Sequence, residues 1–475
     1  MPLPSYLITA LTVACALFME NLDSTVIATS LPAIAKDLHE DPISLKLALT
    51  SYLVSLAIFI PASGWAADRF GARTIFRAAI LVFTLGSISC GMARTLLGLV
   101  CSRMIQGLGG AMMVPVGRLL LLRSVERSEL VNALSFLTVP ALLGPMTGPL
   151  LGGFITTYFH WRWIFWINVP IGAIGILLAT LFLDDIKDEA WPLDVSGFLL
   201  CGLGLAFLLF GLGGVGRGLM PWQPATLLAG FGILALAAYG LHARGAAFPL
   251  LDLKLLSIKT FRASVVGGSL FRIGIGSIPF LLPLMLQTGF DLNAFQSGSI
   301  TFIASAGAMA MKGTAAPILR RFGFRPVLVY NAVLSAGILG CYGFFTPSTP
   351  VALMMSLLFV GGFVRSLEFT SLNAIAFAEI DALQMSRAVS LSSVAQQLSL
   401  SLGVAAGAGA LQGFALLNPD TDVLALENFK WAFVAMAAVS LSAVAAFLQL
   451  PADAGSELTR SRSGKSAEAI SPAGQ

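Results

Sequence analysis

Charge is scarce in this chain. Asp, Glu, Lys and Arg make up 11% of its residues, where a soluble domain carries roughly a quarter. So few charged groups cannot cover a surface that faces water. The net charge at pH 7 is only +4, too small a footprint for a nucleic-acid partner. The three histidines, His39, His160 and His242, stand at the ends of apolar stretches and read as solvated, which excludes a haem or His-based metal site. The five cysteines are odd in number, form no CxxC pair and lie within apolar segments. A disulfide framework and a zinc site are thereby excluded, and the thiols read as packing groups. No Walker loop, HExxH or Gly-x-Ser-x-Gly occurs, so ATP-driven pumping and the common hydrolytic chemistries lose their motifs. The chain reads as no enzyme, with no metal and no cofactor. Residues 1–6 also lack the basic region of a cleavable signal peptide.

What is abundant is apolar: 57% of the residues are hydrophobic. A helix needs about 20 apolar residues to cross a bilayer. Fourteen stretches satisfy this, near 5–33, 43–66, 74–93, 96–120, 130–158, 163–183, 194–216, 223–243, 261–287, 295–318, 327–346, 350–377, 387–415 and 429–450. With the N-terminus placed inside, eighteen Lys and Arg, Arg118 among them, fall in inner loops and the tail, and six in outer loops. The positive-inside rule then puts both termini in the cytoplasm. Residues 451–475, rich in Ser, Ala and Gly, read as a disordered cytoplasmic tail.

The chain repeats itself. Asp68-Arg69-Phe70-Gly71-Ala72-Arg73 follows the second span, and Arg320-Arg321-Phe322-Gly323-Phe324-Arg325 follows the tenth. Each closes the second helix of a six-helix block. The expected organisation is a six-helix bundle over 1–183, an inserted helix pair with its linkers over 184–258, and a second six-helix bundle over 259–450. Transporters are often built from such halves, with the cargo site between them.

Ionisable residues inside spans are expensive, about 2.5–3.5 kcal/mol each at a helix centre on insertion scales, and mark functional positions. Glu20 and Asp23 stand three residues apart in the first span. Two carboxylates so close disfavour double ionisation, which makes one of them a candidate proton carrier. Arg103, in the fourth span with Gln106 one turn on, cannot be neutralised and needs an acceptor; Asp23 lies at the same depth. The second half carries Arg272, Lys312, Arg365 and Glu368. Arg365 and Glu368, at i and i+3, can face the cavity or satisfy each other.

Several motifs carry a family resemblance. Gly64-Trp65-Ala66-Ala67-Asp68-Arg69-Phe70-Gly71-Ala72-Arg73 resembles the signature loop of the major facilitator superfamily, and Arg103-Met104-Ile105-Gln106-Gly107-Leu108-Gly109 its fourth-helix motif. Gly144-Pro145-Met146-Thr147-Gly148-Pro149-Leu150-Leu151-Gly152-Gly153 is similar to the fifth-helix motif of antiporters. Leu22-Asp23-Ser24-Thr25 with Leu31-Pro32, and Trp161-Arg162-Trp163 with Asn168-Val169-Pro170, resemble the fourteen-helix drug:proton antiporter branch of EmrB/QacA type. The resemblance implies an all-α membrane protein with the major facilitator fold, two six-helix bundles plus an inserted pair, in a bacterial inner membrane. It implies a proton-coupled exporter of small amphipathic, drug-like molecules, working by alternating access as a monomer. Its partners are then a small-molecule substrate, protons and the lipid bilayer. The buried bases leave open a second reading, export of an organic anion or metabolite. Glu20, Asp23, Arg103, Gln106, Arg272, Arg365 and Glu368 are the candidate coupling or substrate residues. Gly64, Asp68, Arg69, Gly71 and Arg73, with Gly144, Pro145, Gly148, Pro149, Gly152 and Gly153, are the candidate gating residues.

Overall fold

The computed structural model describes residues 5–40, 46–126, 129–185, 187, 192–217, 221–292, 294–417 and 425–459. The expected tail beyond 459 lies outside these residues. In lipid every backbone N–H and C=O must find a partner within the chain. The described residues accordingly form helices and no β-strand.

The long helices are α1 (Ser5–Leu38), α2 (Lys46–Phe59, continued through the turn Ile60–Ala62 into Ser63–Phe70), α3 (Ala72–Met92), α4 (Leu96–Ser124), α5 (Leu130–Tyr158), α6 (Trp163–Phe182), α7 (Val195–Arg217), α8 (Trp222–Gly245), α9 (Lys259–Gly289), α10 (Ala294–Lys312 and Ala315–Phe322), α11 (Phe324–Tyr342), α12 (Val351–Ile375), α13 (Met385–Leu417) and α14 (Leu426–Phe447). Among the described residues twelve helices are long and apolar enough to cross a membrane, and α10 makes a thirteenth span bent by 60°. The 29-residue α5 stands at the remaining place of the expected fourteen. The bend in α10 departs from the straight span expected at 295–318.

Helices α1–α6 pack among themselves, as do α9–α14. The halves meet along two seams, α13 against α2 and α4, and α5 against α10 and α12. The inserted α7 lies against both α2 and α13. Its partner α8 turns Leu227, Phe231, Leu234 and Leu241 outward, as a lipid-facing helix does. The pair is tied at its base. His242 Nε2 meets Asp194 Oδ1 at 2.8 Å, so this histidine is partnered, contrary to the solvated reading. The Tyr239 hydroxyl donates to Leu251 O at 2.9 Å and accepts from Leu251 N at 2.6 Å. Of the thiols, Cys90 and Cys201 are buried, while Cys101 and Cys341 lie on the bundle surface, contrary to a packing role for all five.

The end of the bundle that holds Arg69, Arg73, Arg77, Arg123, Arg320 and Arg321 is called here the basic end. At the far end a polar clamp fastens α1 to the start of α6. Asp37 Oδ2 accepts from Trp161 Nε1 at 3.0 Å and Arg162 Nη1 at 2.8 Å, and Arg162 Nη2 reaches Ala93 O at 3.0 Å. Burial, the largest single influence on Asp37, raises its pKa, but the Trp161 and Arg162 hydrogen bonds and the Arg162 and His160 charges together outweigh it, and the net direction is down. A carboxyl lowered by folding contributes stability that is complete above its unfolded pKa, about 3.9, and is lost as pH falls through the folded value. Asp37→Asn is therefore expected to lower the Tm in detergent at pH 7 by a small amount. The gap between variant and parent should begin to narrow in melts run below pH 4 and close once the pH is below the folded value.

Candidate functional site

The first half holds a buried polar knot where α1, α2, α3, α4 and α6 converge. Asp23 sits at its centre, 3% exposed, with Arg103, Gln106 and Asn168 wholly buried around it. Asp23 Oδ2 accepts from Arg103 Nη1 at 2.6 Å, and Oδ1 accepts from Gln106 Nε2 at 2.9 Å and Asn168 Nδ2 at 2.8 Å. Arg103 also donates through Nη1 to Gln106 Oε1 at 2.5 Å and through Nε to Ala48 O at 3.3 Å, and its guanidinium lies 4.3 Å from the Tyr52 ring centroid. Ser87 accepts from both Gln106 (2.6 Å) and Asn168 (3.1 Å). Such a network meets the rule that a buried charge must be paired and hydrogen-bonded.

Glu20, one turn earlier on α1, is held differently. Its carboxyl adjoins the Tyr52 hydroxyl, and Glu20 Oε2 is enclosed with no hydrogen-bond partner among the described residues. A proton arriving at Asp23 removes the charge that three donors, Arg103 among them, are holding. One arriving at Glu20 Oε2 displaces nothing.

The second half is not a copy of this knot. Arg272, 2% exposed, makes only a 3.5 Å contact to Ser264 O, and its guanidinium lies 5.8 Å from the Phe369 ring centroid. Glu368 is fully buried; its Oε2 accepts from Asn331 Nδ2 at 3.0 Å, its Oε1 is enclosed with no hydrogen-bond partner among the described residues, and it makes no ion pair with Arg365 three residues away. Lys312 Nζ donates to Thr370 Oγ1 at 2.8 Å. Among the described residues none of these four charges forms an ion pair within 4.0 Å.

At the basic end the halves are shut. The Gly64 amide donates to Ser390 Oγ at 3.0 Å, and Ser63 Oγ stands 3.2 Å from the same oxygen. A Cβ on Gly64 would lie 2.6 Å from both Ser386 O and Ser390 Oγ, so only glycine admits α13 this close. Asp68 accepts from Arg123 Nη2 at 2.9 Å and from Ser386 Oγ in the first turn of α13. Gly71, at φ +95°, turns the chain into α3, and Arg73 Nη1 reaches Leu183 O at 3.1 Å. Arg69 is exposed, as is Arg320, which stands where Asp68 does in the first half. Gly64→Val is expected to leave the folded monomer peak intact on size-exclusion chromatography. It should cut transport by at least about tenfold by blocking this closure; full activity would refute that. On α5, Gly144 and Gly148 press against α1 rather than against the other half. A Cβ at Gly144 would stand 2.8 Å from Leu22 N, and one at Gly148 would strike Thr25 Oγ1. Gly152 is buried on the same helix. The side-chain surroundings of Pro145, Pro149 and Gly153 lie outside the described set.

Comparison with known proteins agrees with this architecture. The family model of the Major Facilitator Superfamily matches residues 13–404. The chain belongs to the major facilitator superfamily. It is 38% identical over 445 residues to the "Putative multidrug resistance protein MdtD" of Yersinia enterocolitica, covering 93% of this chain and 95% of that one. It is 37% identical over 446 residues to the protein of the same name from Serratia proteamaculans, covering 93% of each. Among solved structures it resembles the human organic anion transporter MFSD10 (TM-score 0.69, 15% identity, 94% of this chain and 100% of that chain). It also resembles the proton:xylose symporter XylE (TM-score 0.63, 14% identity, 95% and 97%). At these identities the structures speak for the fold alone. The chain is thus a multi-pass membrane transporter of the superfamily.

In this facilitator, sequence reasoning missed three members of the knot. Tyr52 and Ser87 are residue types that occur singly in many spans. Asn168 was quoted only within a motif; its signal was a lone amide in an otherwise apolar span. Arg118 was missed for another reason. It was counted with the inner-loop bases although the expected span 96–120 already enclosed it, and α4 continues past it to Ser124.

Proposed function

We propose that this facilitator is a proton-coupled exporter that works by alternating access between its two halves. It would act as a monomer in a bacterial inner membrane, with the basic end and both termini in the cytoplasm. The observation that carries the reading is the contrast between the two α1 carboxylates: Asp23 with three donors and Glu20 with an enclosed, unpartnered oxygen. Glu20 takes and releases the proton, while Asp23 with Arg103 holds α1 to α4. Coupling requires that proton and cargo favour different states, because a ligand shifts an equilibrium only by its differential affinity. The Gly64–Ser390 contact supplies one such state, closed at the basic end.

Small amphipathic, drug-like compounds are the leading cargo, in keeping with the names of the bacterial relatives. A specific observation favours the second reading, organic anions: among the described residues Arg272, Lys312 and Arg365 form no ion pair within 4.0 Å. The test is transport in proteoliposomes under an imposed pH gradient, with a lipophilic cation and an organic carboxylate run in parallel. Absence of gradient-driven movement for both would sink the coupling.

A further inference from the structure

The inserted pair is tied to the two halves by different chemistry. Residues 246–258, which join α8 to α9, form a strap at the basic end. Its Leu251 and Leu255 are buried, and polar bonds fasten it on both sides. On the side of the pair, Tyr239 of α8 both donates to and accepts from the Leu251 backbone. The Asp194 carboxylate knits three segments together. Its Oδ1 accepts from Gly197 N in the first turn of α7 at 2.8 Å and meets His242 Nε2 of α8, and its Oδ2 accepts from Leu250 N of the strap at 3.3 Å. On the side of the second half, Asp252 Oδ1 accepts from Lys254 N at 3.0 Å, and its Oδ2 stands 3.6 Å from Arg387 Nη1. Arg387 is in the first turn of α13, next to Ser386, which bonds Asp68, and three residues before Ser390, which receives the Gly64 amide. Asp194, Leu250 and Arg387 line one cleft with Trp65 and Asp68 of the first half. The grip of α7 on α2 is apolar. The Phe198 and Phe59 ring centroids lie 6.0 Å apart, and a Cβ on Gly202 would stand 3.3 Å from Ile58 O.

We infer that the strap clips the inserted pair to the second half, so that the pair travels with α13 when the basic end opens. Opening there must part Gly64 from Ser390, which separates α2 from α13. Helix α7 lies against both and cannot follow both. Its polar ties run through the strap to α13, and breaking them leaves hydrogen-bonding groups unpaired. Its apolar contact with α2 can be given up to lipid tails, which are as apolar as the side chains they replace. The seam that parts is therefore α7–α2, by the sliding of packed helices. The Asp252–Arg387 pair is the clip, set on the turn of α13 that closes against Asp68 and Gly64. Until α7 lets go of α2, the inserted pair holds the basic end shut from outside, in parallel with the Gly64–Ser390 contact. This assignment rests on the alternating-access reading above and adds which of the moving bodies the extra helices belong to.

The test measures distances between nitroxide labels by double electron–electron resonance, in the full-length chain with its native cysteines replaced by Ala. Labels are placed two at a time on Phe70→Cys at the end of α2, Arg244→Cys at the end of α8 and Leu383→Cys just ahead of α13, all exposed positions. Gly64→Val, which blocks closure, supplies the open state. In it the Phe70–Leu383 and Phe70–Arg244 distances should both lengthen, by on the order of 5 Å, while Arg244–Leu383 stays as in the parent. In the same background Asp252→Asn, which keeps an oxygen for Lys254 N, and Arg387→Gln should each raise the population outside the parent Arg244–Leu383 peak about threefold. The double variant should go no further than either single one, because both break the same pair. A Phe70–Arg244 distance that holds while Arg244–Leu383 lengthens puts the inserted pair on the first half and overturns the assignment. Lengthening of all three distances overturns it too, since the pair then follows neither half. Additive effects of Asp252→Asn and Arg387→Gln, or no effect of either, overturn the clip. A Phe70–Leu383 distance that fails to lengthen overturns the alternating-access reading and the assignment together; the other failures leave that reading standing.

Discussion

Glu20→Gln is expected to abolish uphill export driven by a pH gradient while leaving exchange of labelled for unlabelled cargo in place. Gln keeps the shape of Glu20 and its contact with Tyr52 but cannot take a proton. A carrier tapping a membrane potential of 100 mV gains about 2.3 kcal/mol per charge moved. Without a titratable group in the pathway this facilitator gains nothing from the proton gradient, and accumulation should drop at least about tenfold, to the level set by cargo alone. Exchange needs only rocking of the loaded halves and survives. The two assays, run on the same proteoliposome preparation, separate loss of coupling from loss of fold. Continued uphill export by the variant would move the proton site away from Glu20.

The second large effect belongs to the buried pair. Removing one partner of a buried salt bridge costs about 3–5 kcal/mol, because the other charge is left uncompensated. Asp23→Ala strands Arg103 and also leaves the Gln106 and Asn168 amides facing a void. Arg103→Ala strands Asp23, although two amide donors remain to it. Both variants should lose most of the monomeric peak on size-exclusion chromatography, and Asp23→Ala should lose more. Replacing both residues by Leu removes both charges, and such exchanges are often neutral or stabilising. The double variant should therefore recover much of the monomer without recovering transport. A double variant as unstable as the singles would mean that the amides and Ser87, rather than the charge pair, carry the stability of the knot.

The spans were readable because lipid permits so little else: apolar runs of the right length become helices, and the loops between them collect the bases. Asp23 with Arg103 was legible for a related reason, since two opposite charges at one depth in the same six-helix block have few other places to go. The Asn168 amide was not. Asn168 looks the same in sequence whether it glues two helices or completes the coordination of a carboxylate, and only the convergence of five helices decides. Arg118 was misplaced because a base near the expected end of its span was counted with the loop beyond it, whereas the α4 backbone continues its hydrogen bonding to Ser124. The Arg365–Glu368 spacing allowed a pair that does not form among the described residues: Glu368 bonds Asn331 on α11 through one oxygen and keeps the other free.

One flank of the molecule differs from the other because α7 lies against α2 and α13 together. A hydrophobic solute dissolved in the surrounding leaflet finds the α2–α13 junction plugged by this extra helix. The α5–α10 junction is made by the two halves alone, so under the proposed exporter reading cargo dissolved in the bilayer has its easier way in on that flank.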